Sequence, residues 1–126
     1  MERTLLFNFF FENQAVSSFE SFLGRQPSIV NLESIEPTSL VRLGRHDFEM
    51  LINHYPGLKD HLMEILILRM AHFAKLFLSR IKDNPSKRYK DLLEKNPEIF
   101  QRIPQHYIAS YLGITPISLS RIRNKK

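Results

Sequence analysis

The 126-residue chain has no cysteine, no tryptophan and only four glycines. Without cysteine it can form neither a disulfide nor a thiolate metal site, which fits a reducing, cytoplasmic setting. No apolar run approaches the roughly 20 residues that a bilayer-spanning helix needs. The N-terminus also lacks the basic, apolar, small-residue order of a secretion signal. No membrane partner is therefore expected. Enzyme signatures are missing as well: there is no Gly-x-Ser-x-Gly, no Ser-x-x-Lys and no glycine loop to cradle a phosphate. Ser118 and Ser120 have no neighbouring base to make either a nucleophile. No two histidines stand four apart; His61 and Glu64 share a helical face, but His72 lies three turns on, too far to share a metal. The expectation is a chain that is not an enzyme and holds no metal or cofactor.

What is present is a globular composition, 43% hydrophobic and 25% charged. Seven of the ten phenylalanines lie in the first 48 residues. Charge is graded along the chain. Residues 1–50 hold four Lys/Arg against seven Asp/Glu, residues 51–100 nine against six, and residues 101–126 five against none. An acid-free basic end points to a polyanion; a solvated tail is the plainer alternative.

The first part reads as β-structure. The aromatic-rich segment Thr4 to Glu12 has the pattern of a buried strand. Ser17-Ser-Phe-Glu20 has the form of a capping box opening a short helix that Gly24 and Pro27 stop. Ser28 to Ile35 and Thr38 to Leu43 read as two strands joined at Glu36-Pro37. Beyond Gly44 the pattern turns helical: Asp47 to His54, Gly57 to Lys82, Ser86 to Lys95 with Tyr89, Leu92 and Leu93 inward, and a turn from Pro97 to Gln101. On the long helix, Met63, Ile67, Met70, Ala74, Phe77 and Ile81 step by four and three, the seam of a coiled coil. A second copy of the same helix is the economical cover, giving a homodimer; the C-terminal helices of the same chain are the other.

The last segment, "IASYLGITPISLSRIR", reads as two helices with a glycine between them. Pro104 suits the first turn of the first, Gln105 to Leu112, and Gly113 suits the left-handed position that ends it. Thr115 is a good N-cap for the second, with Pro116 at its first position. Ile108, Leu112, Ile114, Leu119 and Ile122 can close one core, with Ala109 small at the crossing. This is the helix-turn-helix arrangement. Thr115, Ile117, Ser118, Arg121, Arg123 and Lys125 are left facing outward. Hydroxyls and cations are the groups that meet phosphates and base edges, and Arg121 is the forked donor suited to guanine. The plainer alternative is a helical hairpin with a solvated basic face.

The stretches "YPGL" and "SKRYKDLLEKNPEIFQRIPQHYIASYLGITPISLSRIR" resemble the C-terminal part of the Crp/Fnr family of bacterial transcription regulators, in its short-tailed group. The resemblance implies an α+β chain in three parts. Residues 1–56 would form a partial cyclic-nucleotide-binding-type β-roll, 57–83 a long dimerisation helix, and 84–126 a helix-turn-helix DNA-binding domain without a full wing. It further implies that the first half of the usual barrel is missing, either naturally or through a truncated gene. The effector cassette would correspond to Ser17, Ser18, Arg25 and Ser28. The glutamate that holds the ribose and the arginine that pairs with the phosphate are absent, so a cyclic-AMP response is not expected, although an unidentified small-molecule effector remains a possible partner. Phe73 and Ala74 stand where cyclic-AMP binders have polar adenine contacts. Double-stranded DNA is the expected partner. Candidate contacts are Gln105 and His106 on the first helix of the pair, together with Thr115, Ile117, Ser118, Arg121, Arg123 and Lys125. Ile117 could lie against a thymine methyl. The rival reading is a truncated sensor or dimerisation module with weak or no DNA binding, prompted by Ile117 in a base-reading position.

Overall fold

Proline and glycine punctuate the chain, and the helices fall between them. In the computed structural model, which describes residues 5–125, these are α1 Phe19–Gly24, α2 Arg45–His54, α3 Pro56–Lys82, α4 Pro85–Lys95, α5 Pro97–Arg102, α6 Gln105–Leu112 and α7 Pro116–Asn124. Proline stands at the first position of α4, α5 and α7, where a missing amide costs nothing. The Asn84 side chain accepts the Lys87 amide at 2.9 Å to cap α4.

No strand occurs among the described residues, so the expected α+β fold and its cyclic-nucleotide-binding-like β-roll are overturned. The reason lies in what a strand requires: a ladder partner for its backbone and a surface for its apolar face. Residues 28–43 mix apolar with polar side chains, yet Ile29 is 86% and Val41 fully exposed and no ladder partner occurs among the described residues, so neither requirement is met. The Thr4–Glu12 segment fares differently. Thr4 lies outside the described residues, but from Leu5 the segment is non-helical and pairs with helices instead of strands. The Leu6 amide donates to Ser110 Oγ at 2.8 Å, and the Phe9 ring lies 5.0 Å from that of Tyr111, both partners on α6.

Two units divide the chain. One comprises Phe10–Arg69; the other joins the residues up to Phe9 with those from Met70 onward, so the division falls inside α3. In the first unit, the Phe22 and Phe48 rings meet edge to face at 5.1 Å, and Arg45 donates to the Phe22 carbonyl and to Glu49. Arg69 lies 5.2 Å from the Phe10 ring and 5.4 Å from Phe19, with a hydrogen bond to the Ala15 carbonyl. None of its described residues is buried. The expected capping box is also corrected. Ser18, not Ser17, precedes α1, and its hydroxyl turns to Glu20 Oε1 instead of capping an amide. The helix ends at Gly24, and Arg25 after it takes the left-handed position.

The second unit holds the core. Leu92, Ile99, Ile108, Ala109, Tyr111, Leu112 and Leu119 are buried there, and α4, α5, α6 and α7 pack around them. Ala109 and Leu119 are wholly inaccessible: the small side chain lets α7 cross α6 closely enough to seal the leucine. Tyr89 and Phe100 add an edge-to-face pair at 5.2 Å between α4 and α5. Leu93, expected inward, is 40% exposed, because one turn of α4 can aim only Leu92 at α6. Between α6 and α7 the turn depends on Gly113 at φ 68°. Replacing Gly113 with alanine is expected to lower unfolding stability by about 1–2 kcal/mol, since a Cβ disfavours that backbone, and urea denaturation would measure it.

Candidate nucleic-acid interface

A helix leaves its last four carbonyls without partners. For α6 those belong to Ala109, Ser110, Tyr111 and Leu112, and every one finds a donor. The Ile114 amide bonds to Ala109 at 2.9 Å and the Gly113 amide to Ser110 at 3.0 Å, the paired bonds of a Schellman motif. Arg80 Nη2 on α3 donates to the Tyr111 carbonyl at 2.8 Å. Arg88 Nε on α4 donates to the Leu112 carbonyl at 3.1 Å, while its Nη1 holds the Asp83 carbonyl at 2.6 Å. Two cations at the negative end of α6 also favour its dipole. The direction in which the chain leaves α6 is thus fixed by hydrogen bonds from α3 and α4.

From there α7 is aimed by its own cap. Thr115 Oγ1 accepts the Ser118 amide at 3.1 Å and donates its hydroxyl proton to Ser118 Oγ at 3.0 Å. Leu119 seals against the core and Ile122 is half-buried. The opposite face carries Ile117, Ser120, Arg121 and Asn124 at helical spacing, with Arg123 beside them, all exposed. Lys125 follows the helix, also exposed. Among the expected contact residues, Ile117, Arg121, Arg123 and Lys125 therefore share the end of the chain with no acidic residue after Glu98. Thr115 and Ser118 are spent mainly on each other, so their role is to hold the start of α7. Gln105 and His106 are exposed at the first turn of α6, where the His106 ring lies 4.1 Å from that of Tyr107.

Arg80 and Arg88 were not among the residues expected from the sequence. Their distance in the chain from α6, 31 and 24 residues, hides a role that only packing reveals. The expected effector residues do not assemble into an anion cradle. Ser18 Oγ and Ser28 Oγ meet at 2.6 Å, and Ser28 turns on to the Val30 carbonyl. Arg25 points to Glu49 at 3.8 Å, and Ser17 lies half-buried beside the cluster. The Ser18 hydroxyl holds the Glu20 carboxyl below its ordinary pKa. The cluster is already occupied by its own acid.

Compared with protein-family models, with curated proteins and with solved structures, the chain finds no match in any of the three. Among the described residues no helix is long and apolar enough to cross a membrane, and no three metal-binding side chains lie together.

Tyr111 reports on the integrity of this region. Burial pushes its phenol above the ordinary 10.0, against a smaller opposite effect of the Arg80 charge. A pKa raised by folding means that the unfolded chain loses its proton first as pH climbs, so stability is full below about pH 10 and declines above it. Tyr111→Phe should flatten that alkaline decline in unfolding free energy, measured by denaturation at several pH values.

Proposed function

We propose that this chain is a dimeric DNA-binding regulator in which α7 enters the major groove of duplex DNA. The supporting observation is the closed end of α6, which holds α7 so that Ile117, Arg121 and Arg123 are free while Leu119 is buried. On this reading Arg121 reads a base edge and Lys125 neutralises phosphate. The same reading extends to the Crp/Fnr-like, non-enzymatic role in the cytoplasm that the sequence suggests, without a nucleotide-binding roll.

The dimer rests on α3. Its seam is uncovered in the single chain: Met63, Ile67, Met70, Phe77 and Ile81 are between 53% and 71% exposed, and Ala74 is exposed with them. A stripe of this length along one helix is what a coiled-coil partner covers, and with a twofold pair the half-sites would lie roughly 34 Å apart. A second copy of α3 supplies the matching stripe by symmetry.

Gel shift of the full chain against a pool of random duplexes at two salt concentrations, with sedimentation on the same samples, tests the reading. The expected result is a dimer giving sequence-dependent shifts that weaken steeply with salt. Arg121→Ala should relax sequence preference, and Lys125→Ala should weaken all duplexes alike. A monomer without shifts at low salt would overturn it.

A further inference from the structure

Leu119 is wholly inaccessible, and that fixes which side of α7 faces inward. At about 100° per residue, the positions two before and two after it lie on the far side of the helix. Those positions are Ile117 and Arg121. Ile117 is 67% exposed, and among the described residues beyond Leu93 it is the only large apolar side chain left in the open. It therefore forms no apolar patch on which a protein could dock. Its neighbours on that face are Ser120, Arg121 and Asn124, within a segment, 101–126, that holds five Lys/Arg and no acid. Among the described residues Arg121 stands in no ion pair. One apolar contact point thus sits a single turn from a forked cation, on a surface whose charge suits a polyanion.

We propose that Ile117 reads the 5-methyl group of a pyrimidine, and that with Arg121 it makes α7 select a 5-methylpyrimidine one or two base pairs from a guanine. The inference deepens the DNA reading above and rests on it. In the major groove thymine presents its C5-methyl to apolar side chains, and guanine offers O6 and N7 to a bidentate arginine. A turn of helix rises about 5.4 Å and base pairs stack about 3.4 Å apart, so side chains four residues apart meet pairs one or two steps apart. An isoleucine side chain makes no hydrogen bond, so it senses the methyl and not the O4 or N4 beside it. Thymine and 5-methylcytosine are then equivalent to Ile117, and uracil and cytosine lack what it reads.

The test uses the full chain and a duplex selected from a random pool, with binding followed by fluorescence anisotropy. Each thymine is replaced in turn by deoxyuridine, which removes the methyl and leaves base pairing unchanged. One position in each half-site is expected to lose about fourfold in affinity, the worth of one buried methyl. At that position 5-methylcytosine should bind about fourfold tighter than cytosine. Ile117→Ala, a change at an exposed site, should erase both differences and keep the salt dependence. Arg121→Ala should relax the preference for a guanine one or two pairs away. Equal affinity for thymine and deoxyuridine at every position, or a difference that persists in Ile117→Ala, overturns the methyl reading while duplex binding itself stands. A guanine preference tied to Arg121 but lying more than two pairs away overturns the joint action of the two side chains. No binding to any duplex removes the DNA reading and this inference with it.

Discussion

The four carbonyls that end α6 are the constraint on which the half of this molecule that carries the candidate interface depends. Their closure requires a left-handed Gly113, amides from the turn, and arginines from two other helices. Each supplies something the others cannot. The glycine takes the left-handed backbone that ends α6 and starts the turn. The amides of Gly113 and Ile114 hold that turn, and Arg80 and Arg88 tie it to α3 and α4. With the turn so held, Leu119 reaches the core and Arg121 is turned away from it. The exposure of the basic face is therefore a product of packing, not of composition alone.

The two units differ in the physical means by which they hold together. From Met70 onward, apolar side chains from four helices are buried, those of Ala109 and Leu119 completely. Between Phe10 and Arg69 no described residue is buried, and order there rests on Arg45, Arg69 and a few ring contacts. Hydrogen bonds and cation–π pairs with partly exposed partners contribute modestly. A precise recognition surface needs the first kind of support. The placement of the candidate interface beyond Met70 follows from that difference.

Much of the helical half was legible because its signals are local. Pro116 after Thr115, Gly113 after Leu112 and the break at Asn96-Pro97 each act within one turn, and α6 begins and ends where its residues indicate. The strands do not form because β-branched, apolar content bounded by a turn is only half of a strand's specification. Ile29, Val30 and Val41 are residues that strands favour, but pairing is a property of two segments and cannot be seen in one. The aromatic segment around Phe7 and Phe9 was correctly read as apolar and wrongly given a sheet to pack on; it lies instead on α3 and α6. Ser17 and Glu20 show the same limit at smaller scale, because a serine one residue later took the cap position. Arg80 and Arg88 could not be found by any local rule, since each acts across more than 20 residues of chain.

The most direct measurement is an amide-resolved NMR titration of the chain with a duplex selected from a random pool, read residue by residue. The account predicts that perturbations gather on Ile117, Ser120, Arg121 and Arg123 while the Ile114 and Leu119 amides stay slow to exchange. Perturbations confined to residues 10–69, or rapid exchange at Ile114 and Leu119 in the free chain, would contradict it.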